Sequence, residues 1–338
     1  MASANIYLGA GISGIVVFTL GACAFVARGG AIRTATPLNE QPPYWAYVVN
    51  PPDNGTGTSA SAADAVPRHV PDSEAAFTVA ATKDFFKPPD WHAGDHPEMP
   101  EIVGHGRAPK VFACGYCHLP NGQGRPENSS LAGLPEGYII QQLADFKNGL
   151  RKSSEPRHGP TNAMIANESQ AGGKEVRASA EYFSGLRPRP WIRVVETAMV
   201  PKTKVAGWML VPSDGNEKEA IGQRIIETPE NLERTELRDD HSGFVAYVPE
   251  GSVKKGEAIA SGADKALRCA TCHGRDLKGM ANVPRLAGRS PSYMVRQLYD
   301  MQHGSRRGAA SRKMKLIVEN LTVDDMIALA AYAASLAP

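Results

Sequence analysis

A five-residue motif of the form C-x-x-C-H occurs twice in this chain, and it constrains the fold more than any other feature. The two copies are Cys114-Gly-Tyr-Cys117-His118 and Cys269-Ala-Thr-Cys272-His273. Four of the five cysteines lie in these copies, and only Cys23 stands apart. A C-x-x-C pair by itself could be half of a zinc site or a thiol-disulfide redox centre. The histidine after each pair distinguishes haem attachment from these two alternatives.

That histidine favours covalent attachment of haem. Two thiols three positions apart can each add to one vinyl group of a haem, and the next residue then lies under the iron as its proximal ligand. We therefore expect two covalently bound haem c groups. The first would be attached to Cys114 and Cys117 and the second to Cys269 and Cys272, with His118 and His273 as the proximal ligands.

Each motif begins one copy of a duplicated segment. Leu131-Ala132-Gly133 recurs 155 residues later as Leu286-Ala287-Gly288. Further pairs at the same offset are Tyr138 and Tyr293, Gln142 and Gln297, Gly149 and Gly304, and Arg151 and Arg306. Self-similarity at one fixed offset indicates a repeated structural unit. Neither unit supplies a second nearby cysteine pair, which argues against two structural zinc sites.

A second register selects one methionine in each repeat. At an offset of 150 residues Met164 matches Met314, Tyr182 matches Tyr332 and Leu186 matches Leu336. Met164 and Met314 are the candidate sixth iron ligands, since a thioether opposite an imidazole raises the reduction potential and suits an electron carrier. A core position is the alternative for either methionine. His105 or His158 could ligate the first haem if Met164 does not.

Hydrophobic periodicity predicts helices at matching places. Tyr138 to Asn148 and Tyr293 to His303 carry apolar residues at helical spacing and stop at Gly149 and Gly304. Thr322 is a candidate N-cap for a helix that runs to Leu336, and its counterpart spans about Lys174 to Leu186.

With these motifs the chain resembles the class I cytochromes c, specifically the tandem dihaem kind of bacterial periplasmic electron transfer. The resemblance implies a mainly α fold with two cytochrome c domains, at residues 98–186 and 251–338. In that family a backbone carbonyl at a proline accepts the Nδ1 proton of the proximal histidine. Pro284 fits this position, and Ser129 is its counterpart in the first repeat.

The amino-terminal residues 1–28 contain a candidate membrane anchor. Ile6 to Ala27 is a run of 22 residues without a charge, followed by Arg28, and is long enough to span a bilayer as one helix. A cleaved signal peptide and a lipid attached at Cys23 are the alternatives. Because haem is attached outside the inner membrane in the resembled family, we place the rest of the chain on the periplasmic side of the bacterial inner membrane.

Two long connections accompany the repeats. Residues 29–97 should form an extended tether and strap, disorder being the alternative before about Pro71, with Phe85, Phe86 and Trp91 packing on the first haem domain. The inter-domain segment, residues 187–250, is too long for a simple linker and should have its own irregular structure, with short strands or extended straps. The predicted strands are Trp191 to Val195, Val205 to Val211, Arg224 to Glu227 and Phe244 to Val248.

Composition limits the function. A mean hydropathy of −0.30 excludes a polytopic membrane protein, and a net charge of +2 makes nucleic acid an unsuitable partner. The resemblance implies an electron-transfer protein without bond chemistry of its own. It would relay electrons from a dehydrogenase or a quinol-oxidising complex to an oxidase or a soluble cytochrome, as a subunit or associate of a membrane oxidoreductase complex. The alternative is a dihaem peroxidase with one open haem.

Overall fold

The structure, a computed structural model, describes residues 41–52, 62–262 and 269–338, which all fall in one compact unit. The candidate anchor Ile6–Ala27 and Cys23 lie outside the described residues, so both remain predictions. Among the described helices, none combines the length and the hydropathy needed to cross a bilayer.

The first repeat is helical. Its helices are α1 (Glu101–Gly104), α2 (Cys114–His118), α3 (Glu136–Lys147), α4 (Gly159–Gln170) and α5 (Gly173–Gly185). Helix α3 ends where the sequence predicts. Gly149 adopts a left-handed φ of 64°, a conformation that is unfavourable for residues with a side chain. Helix α5 corresponds to the helix predicted over about Lys174 to Leu186.

The inter-domain segment forms short strands, as predicted. They are β1 (Ile192–Glu196), β2 (Met199–Pro201), β3 (Thr203–Ala206), β4 (Met209–Pro212), β5 (Lys218–Ala220), β6 (Ile226–Pro229) and β7 (Phe244–Val248), with helix α6 (Leu232–Glu236) before β7. Strand β7 is central in a three-stranded sheet, parallel to β1 and antiparallel to β6. Strands β2 and β5, and β3 and β4, form two antiparallel pairs.

The second repeat is again helical. Its helices are α7 (Ser252–Ala260), α8 (Ala270–His273), α9 (Pro291–Gln302), α10 (Ala309–Val318) and α11 (Val323–Ser335). The predicted N-cap is confirmed: the Thr322 hydroxyl accepts the Asp325 backbone N–H at 3.1 Å, and the Asp325 carboxylate accepts the Thr322 N–H at 3.2 Å. Helix α11 packs on α7 and α9.

Two main apolar cores hold the described residues together. The first lies within the first repeat and contains Val103, Leu134 and Phe183. The second joins the helices of the second repeat to the inter-domain sheet, with Tyr299, Met326 and Ile226 among its members. The sheet therefore belongs structurally to the second repeat as much as to the connection.

The strap before the first repeat lies on the chain itself. Residues 45–48 are buried in the second core, and the Tyr47 hydroxyl donates to Asp300 Oδ1 at 2.7 Å. Residues 44–47 form a turn and a bend, and the extended tether and strap over residues 29–97 stay a prediction. The covered surface is this chain's own second repeat.

The aromatic residues after the strap divide between two surfaces. Phe85 packs on Phe112 and Tyr116 of the first repeat, with ring centroids 4.6 and 4.4 Å apart, and Phe86 also contacts Phe112. Trp91 does not follow the prediction. It packs with Val70 and Leu237, because its indole N–H donates to the Leu237 carbonyl of the inter-domain segment at 2.8 Å.

Candidate haem sites

The first C-x-x-C-H motif forms the short helix α2. His118 is 7% exposed, and its Nδ1 lies 2.8 Å from the Ser129 carbonyl oxygen. A carbonyl oxygen only accepts, so Nδ1 carries the proton and Nε2 keeps a free lone pair. Burial is the main cause that lowers the pKa of His118 to about 4; the Ser129 hydrogen bond opposes this shift, and Arg151 and Arg289 contribute to it. The imidazole is therefore held neutral, which is the form that ligates a metal.

The second motif has the same arrangement. Cys269 precedes helix α8, and His273 Nδ1 lies 2.8 Å from the Pro284 carbonyl oxygen, where the resemblance placed it. His273 is also buried, and burial lowers its pKa. The serine in place of proline in the first repeat thus leaves the carbonyl contact intact.

Backbone hydrogen bonds around the motifs repeat at the sequence offsets. The His118 carbonyl accepts from Gly124 at 2.9 Å, and the His273 carbonyl accepts from Gly279 at 2.7 Å. The two Leu-Ala-Gly segments make equivalent contacts: the Gly133 N–H donates to the Phe183 carbonyl, and the Gly288 N–H donates to the Ala333 carbonyl, each at 2.9 Å. The duplication seen in the sequence is therefore a structural duplication.

A cavity of about 950 Å³ opens beside the first motif. Its walls include Cys114, Cys117 and His118 together with Met164 from helix α4. A flat macrocycle attached to the two cysteines needs a space of this size next to the histidine. The cavity is thus large enough, and correctly placed, for a haem.

The candidate sixth ligands differ in their positions. Met164 and His158 both line the first cavity. His158 is 2% exposed and its Nε2 has no hydrogen-bond partner, while Nδ1 lies 2.9 Å from the Thr161 hydroxyl. His105 lies away from the cavity: its side chain is 61% exposed and faces Glu101 at 3.5 Å. Met314, on helix α10, is half-buried and packs on the second core together with Cys269.

The repeated polar residues meet between the two repeats. Arg151 donates to Gln142 at 3.1 Å and to Tyr293 and Gln297, each at 3.0 Å. Arg306 donates in the mirror-image manner to Gln297, Tyr138 and Gln142, at 3.0, 3.0 and 2.7 Å. We call these six residues the interface cluster. It has pseudo-twofold symmetry because each residue and its partner at offset 155 occupy equivalent places.

The surroundings of the interface cluster are rich in buried positive charge. Five arginines are buried there, and their hydrogen bonds go to carbonyls, hydroxyls and amides: Arg151, Arg285, Arg289, Arg296 and Arg306. Nε of Arg289 and of Arg306 has no partner. Burial alone would raise the pKa of Tyr293, but Arg151, Arg289 and Arg306 lower it. Buried cations need anionic partners, and bound haems would supply carboxylates of that kind.

For several cavity residues, no feature of the sequence indicates that they belong to the first haem site. Trp208 and Met209 of the β3–β4 hairpin line the first cavity, and so do Tyr293 and Asp300 of helix α9 in the second repeat. These residues come from segments that follow the first motif by more than ninety positions. The first site is therefore completed by the inter-domain segment and by the second repeat, which periodicity within one segment cannot reveal.

Comparison with known proteins gives a consistent class. No family model matches the chain. The cytochrome c4 of Stutzerimonas stutzeri is 38% identical over 231 residues, 66% of this chain and 84% of that protein. The thiosulfate dehydrogenase electron acceptor of Thiomonas intermedia is 25% identical over 67% of this chain and 80% of that protein.

Two solved structures show a partial similarity to this chain. The thiosulfate dehydrogenase of Marichromatium purpuratum has a TM-score of 0.47 at 23% identity, over 70% of this chain and 39% of that one. The cytochrome c4 of Acidithiobacillus ferrooxidans has a TM-score of 0.44 at 22% identity, over 66% and 98%.

The duplicated motifs and the paired sites define a tandem dihaem cytochrome c, which transfers electrons. The extent of the match to Stutzerimonas stutzeri identifies the branch: the chain belongs to the cytochrome c4 family. Its cofactors are two covalently bound haem c groups. The resemblance found in the sequence is thereby confirmed.

Proposed function

We propose that this cytochrome relays electrons between a periplasmic donor and an acceptor, through two haems that the chain holds side by side. The observation that carries the proposal is the shared wall: helix α9 of the second repeat lines the cavity of the first. Electron exchange between two centres needs them close and rigidly placed, and the interface cluster supplies that rigidity. Each haem, when bound, supplies an iron that takes up and releases one electron.

The ligand roles follow from the site geometry. Cys114 and Cys117 would attach the first haem, and Cys269 and Cys272 the second. His118 and His273 would present Nε2 to the iron, since their Nδ1 protons are held by backbone carbonyls at 2.8 Å. Met164 and Met314 would be the sixth ligands. A methionine at the sixth coordination position of each iron favours electron transfer. Peroxidase chemistry requires one haem whose sixth position is open.

Two relatives suggest a donor. The thiosulfate dehydrogenase electron acceptors of Thiomonas intermedia and Stutzerimonas stutzeri are 25% and 26% identical to this chain over 80% and 82% of their own lengths. We therefore favour a thiosulfate-oxidising dehydrogenase as the donor. An inner-membrane attachment through residues 6–27, and with it membership of a membrane oxidoreductase complex, is part of the same proposal.

Spectroscopy of the purified haem-loaded protein tests the relay. A pyridine haemochrome assay should count two haems per chain, and the oxidised spectrum should be low-spin with the weak red band of methionine-ligated ferric haem. A high-spin haem with rapid peroxide turnover would overturn the relay in favour of the peroxidase. Reduction by thiosulfate, only when a purified thiosulfate dehydrogenase is added, would support the donor; reduction by a quinol-oxidising complex alone would contradict it.

A further inference from the structure

A histidine-carboxylate cluster lies outside both haem sites. His92 comes from the strap, and Asp240 and His241 come from the inter-domain segment. One ligand atom of each residue lies within 4.8 Å of the other two. The imidazole rings of His92 and His241 stack at 3.6 Å with an angle of 4° between their planes. The stacking keeps both rings in fixed orientations beside the carboxylate.

The Asp240 carboxylate is buried without hydrogen bonds. The Asp240 side chain is 1% exposed, and neither of its oxygens has a hydrogen-bond partner. The Nε2 of His92 lies 3.9 Å from Asp240 Oδ1 and 3.1 Å from Asp239 Oδ1. A buried carboxylate in this state is unfavourable unless it takes a proton or a metal ion. Burial raises the pKa of Asp240, although His92 and His241 oppose the rise.

The neighbouring carboxylates do not share this problem. Asp239 accepts from Arg234 at 2.5 Å and from the His241 backbone N–H at 2.9 Å, and its Oδ1 lies 3.1 Å from His92 Nε2. Asp95 accepts from Arg189 at 2.6 Å. Arg234 and Arg189 thus donate to Asp239 and Asp95, and the Asp240 carboxylate has no arginine partner beside the two imidazoles.

Asp95 also orients His241. Its Oδ2 lies 2.6 Å from His241 Nε2, and Arg189 Nη1 lies 2.7 Å from the same nitrogen. In the tautomer whose Nε2 proton goes to Asp95, Nδ1 of His241 keeps its lone pair for a ligand. A carboxylate behind a metal-binding histidine is the usual supporting contact of such sites.

We propose that His92, Asp240 and His241 bind one divalent transition-metal ion, with Zn²⁺ as the ion whose preferences fit the site best. Two imidazole nitrogens and one carboxylate oxygen match the ligands of Zn²⁺, whereas Mg²⁺ and Ca²⁺ prefer oxygen. The site would join the strap to the inter-domain segment independently of both haems.

The location gives the ion a structural role near the first haem. The Asp240 carbonyl accepts from Asn121 at 2.6 Å, and the Ser242 carbonyl accepts from Gln123 at 2.8 Å. Arg238 donates to the Tyr116 carbonyl inside the first motif at 2.8 Å. Residues 238–242 therefore brace the chain on both sides of His118, and an ion bound at Asp240 would hold that brace to the strap.

Zinc titration of the haem-loaded full chain tests the proposal. After dialysis against a chelator, calorimetry should detect one saturable Zn²⁺ site per two haem irons, and Mg²⁺ should give no heat. Asp240→Asn and His241→Asn should each weaken Zn²⁺ affinity at least tenfold. His105→Asn removes an exposed histidine of the first repeat and should leave the affinity unchanged. Absence of saturable binding, or equal affinity in all variants, would overturn the site.

A second measurement separates loss of binding from loss of structure. X-ray absorption at the zinc edge should show nitrogen and oxygen neighbours at about 2.0–2.1 Å, with the outer-shell signature of two imidazoles. The Soret and far-ultraviolet spectra of Asp240→Asn should equal those of the parent, since asparagine has the same shape as aspartate. A zinc spectrum without imidazole signatures would overturn the proposal even if binding is saturable.

Discussion

At the scale of single residues, the sixth ligands are open to direct test. Met164→Ala should remove about half of the methionine band and lower the potential of one haem by on the order of 100 mV, because a thioether ligand favours ferrous iron. Met314→Ala should do the same for the other haem. Optical redox titration measures both effects, and Met199→Ala, at a half-exposed methionine on strand β2, serves as the control.

His158 adds a second arm to that experiment. Its unpartnered, buried Nε2 lines the same cavity as Met164. If His158 is the native ligand, Met164→Ala leaves the band intact and His158→Ala changes the spectrum. If Met164 is the ligand, Met164→Ala weakens the band and His158→Ala leaves it unchanged. The comparison of the two single variants thus decides between the two sequence-based assignments.

Glu168 on helix α4 should make stability depend on pH near neutrality. Burial raises its pKa to about 7; Lys147 opposes the rise and Glu175 adds to it. Because the folded pKa lies above the ordinary value of 4.5, the folded state holds the proton more tightly. Stability from this group is therefore full below pH about 4.5, falls as the pH rises toward 7 and then levels off.

The variant Glu168→Gln should remove that dependence. Above pH about 7 it should be more stable than the parent by about 1–3 kcal/mol, with little difference at pH about 4. Denaturant unfolding at several pH values measures the difference. A parallel pH dependence in parent and variant would show that Glu168 ionises normally in the folded protein.

At the scale of elements, the crossing of helices α7 and α11 depends on one glycine. A Cβ at Gly256 would lie 1.9 Å from the Ala328 carbonyl oxygen, which is backbone and cannot rotate away. Gly256→Ala should therefore destabilise the protein by about 3 kcal/mol or more, since the helices must move apart. Thermal and denaturant unfolding measure this.

Gly185 provides the matched control. It ends helix α5 of the first repeat, and a Cβ there would meet nothing within 4 Å. Gly185→Ala should be neutral or slightly stabilising because alanine favours the helix. Equal losses in the two variants would mean that the effect at Gly256 is not one of helix packing.

The elements differ in how well the sequence predicts them. Helices α3, α9 and α11 are predicted to within two residues at each end because local signals mark them, such as the Thr322 cap and the turn at Gly149. The run Val205 to Val211 is instead two strands, β3 and β4. They are joined by a turn in which Gly207 and Trp208 both have positive φ. Tryptophan is not a usual residue at such a turn, so the sequence carries no sign of it.

The site residues also differ in how well the sequence predicts them. The cysteine and histidine positions follow from a motif of five residues, and their carbonyl partners from the resemblance. The cluster of His92 and Asp240 unites residues 148 positions apart in the chain, and only the tertiary fold brings them together. Strands β2 and β5 were missed for a related reason, since each has three residues and depends on its partner.

At the scale of the whole molecule, the interface cluster should couple the two repeats. Arg306→Met would remove the donor to the Tyr138 hydroxyl and one of the two arginine donors to each of Gln142 and Gln297, and it should cost about 2–4 kcal/mol in the free energy of unfolding. Removing a buried positive charge should also lower a haem potential, because the ferric state gains stability. Arg307→Met, at the exposed neighbour that contacts the Gly149 carbonyl at 3.0 Å, should do neither.

A double-mutant cycle measures the coupling itself. Arg151 and Arg306 share Gln142 and Gln297 as acceptors. The cost of the double variant Arg151→Met, Arg306→Met should differ from the sum of the two single costs by at least about 0.5 kcal/mol. Strict additivity would mean that the two halves of the cluster act independently.

The position of residues 45–48 bears on how the molecule is made. These residues complete a core whose other members include Tyr299 and Met326, some 250 positions later. A ribosome therefore delivers residues 45–48 well before Val200, the next buried member of that core along the chain. We expect this docking to be among the last steps of maturation, because so long a loop closes slowly. The second pair of thiols would then meet the enzymes that attach haem while the domain around it is still unfinished.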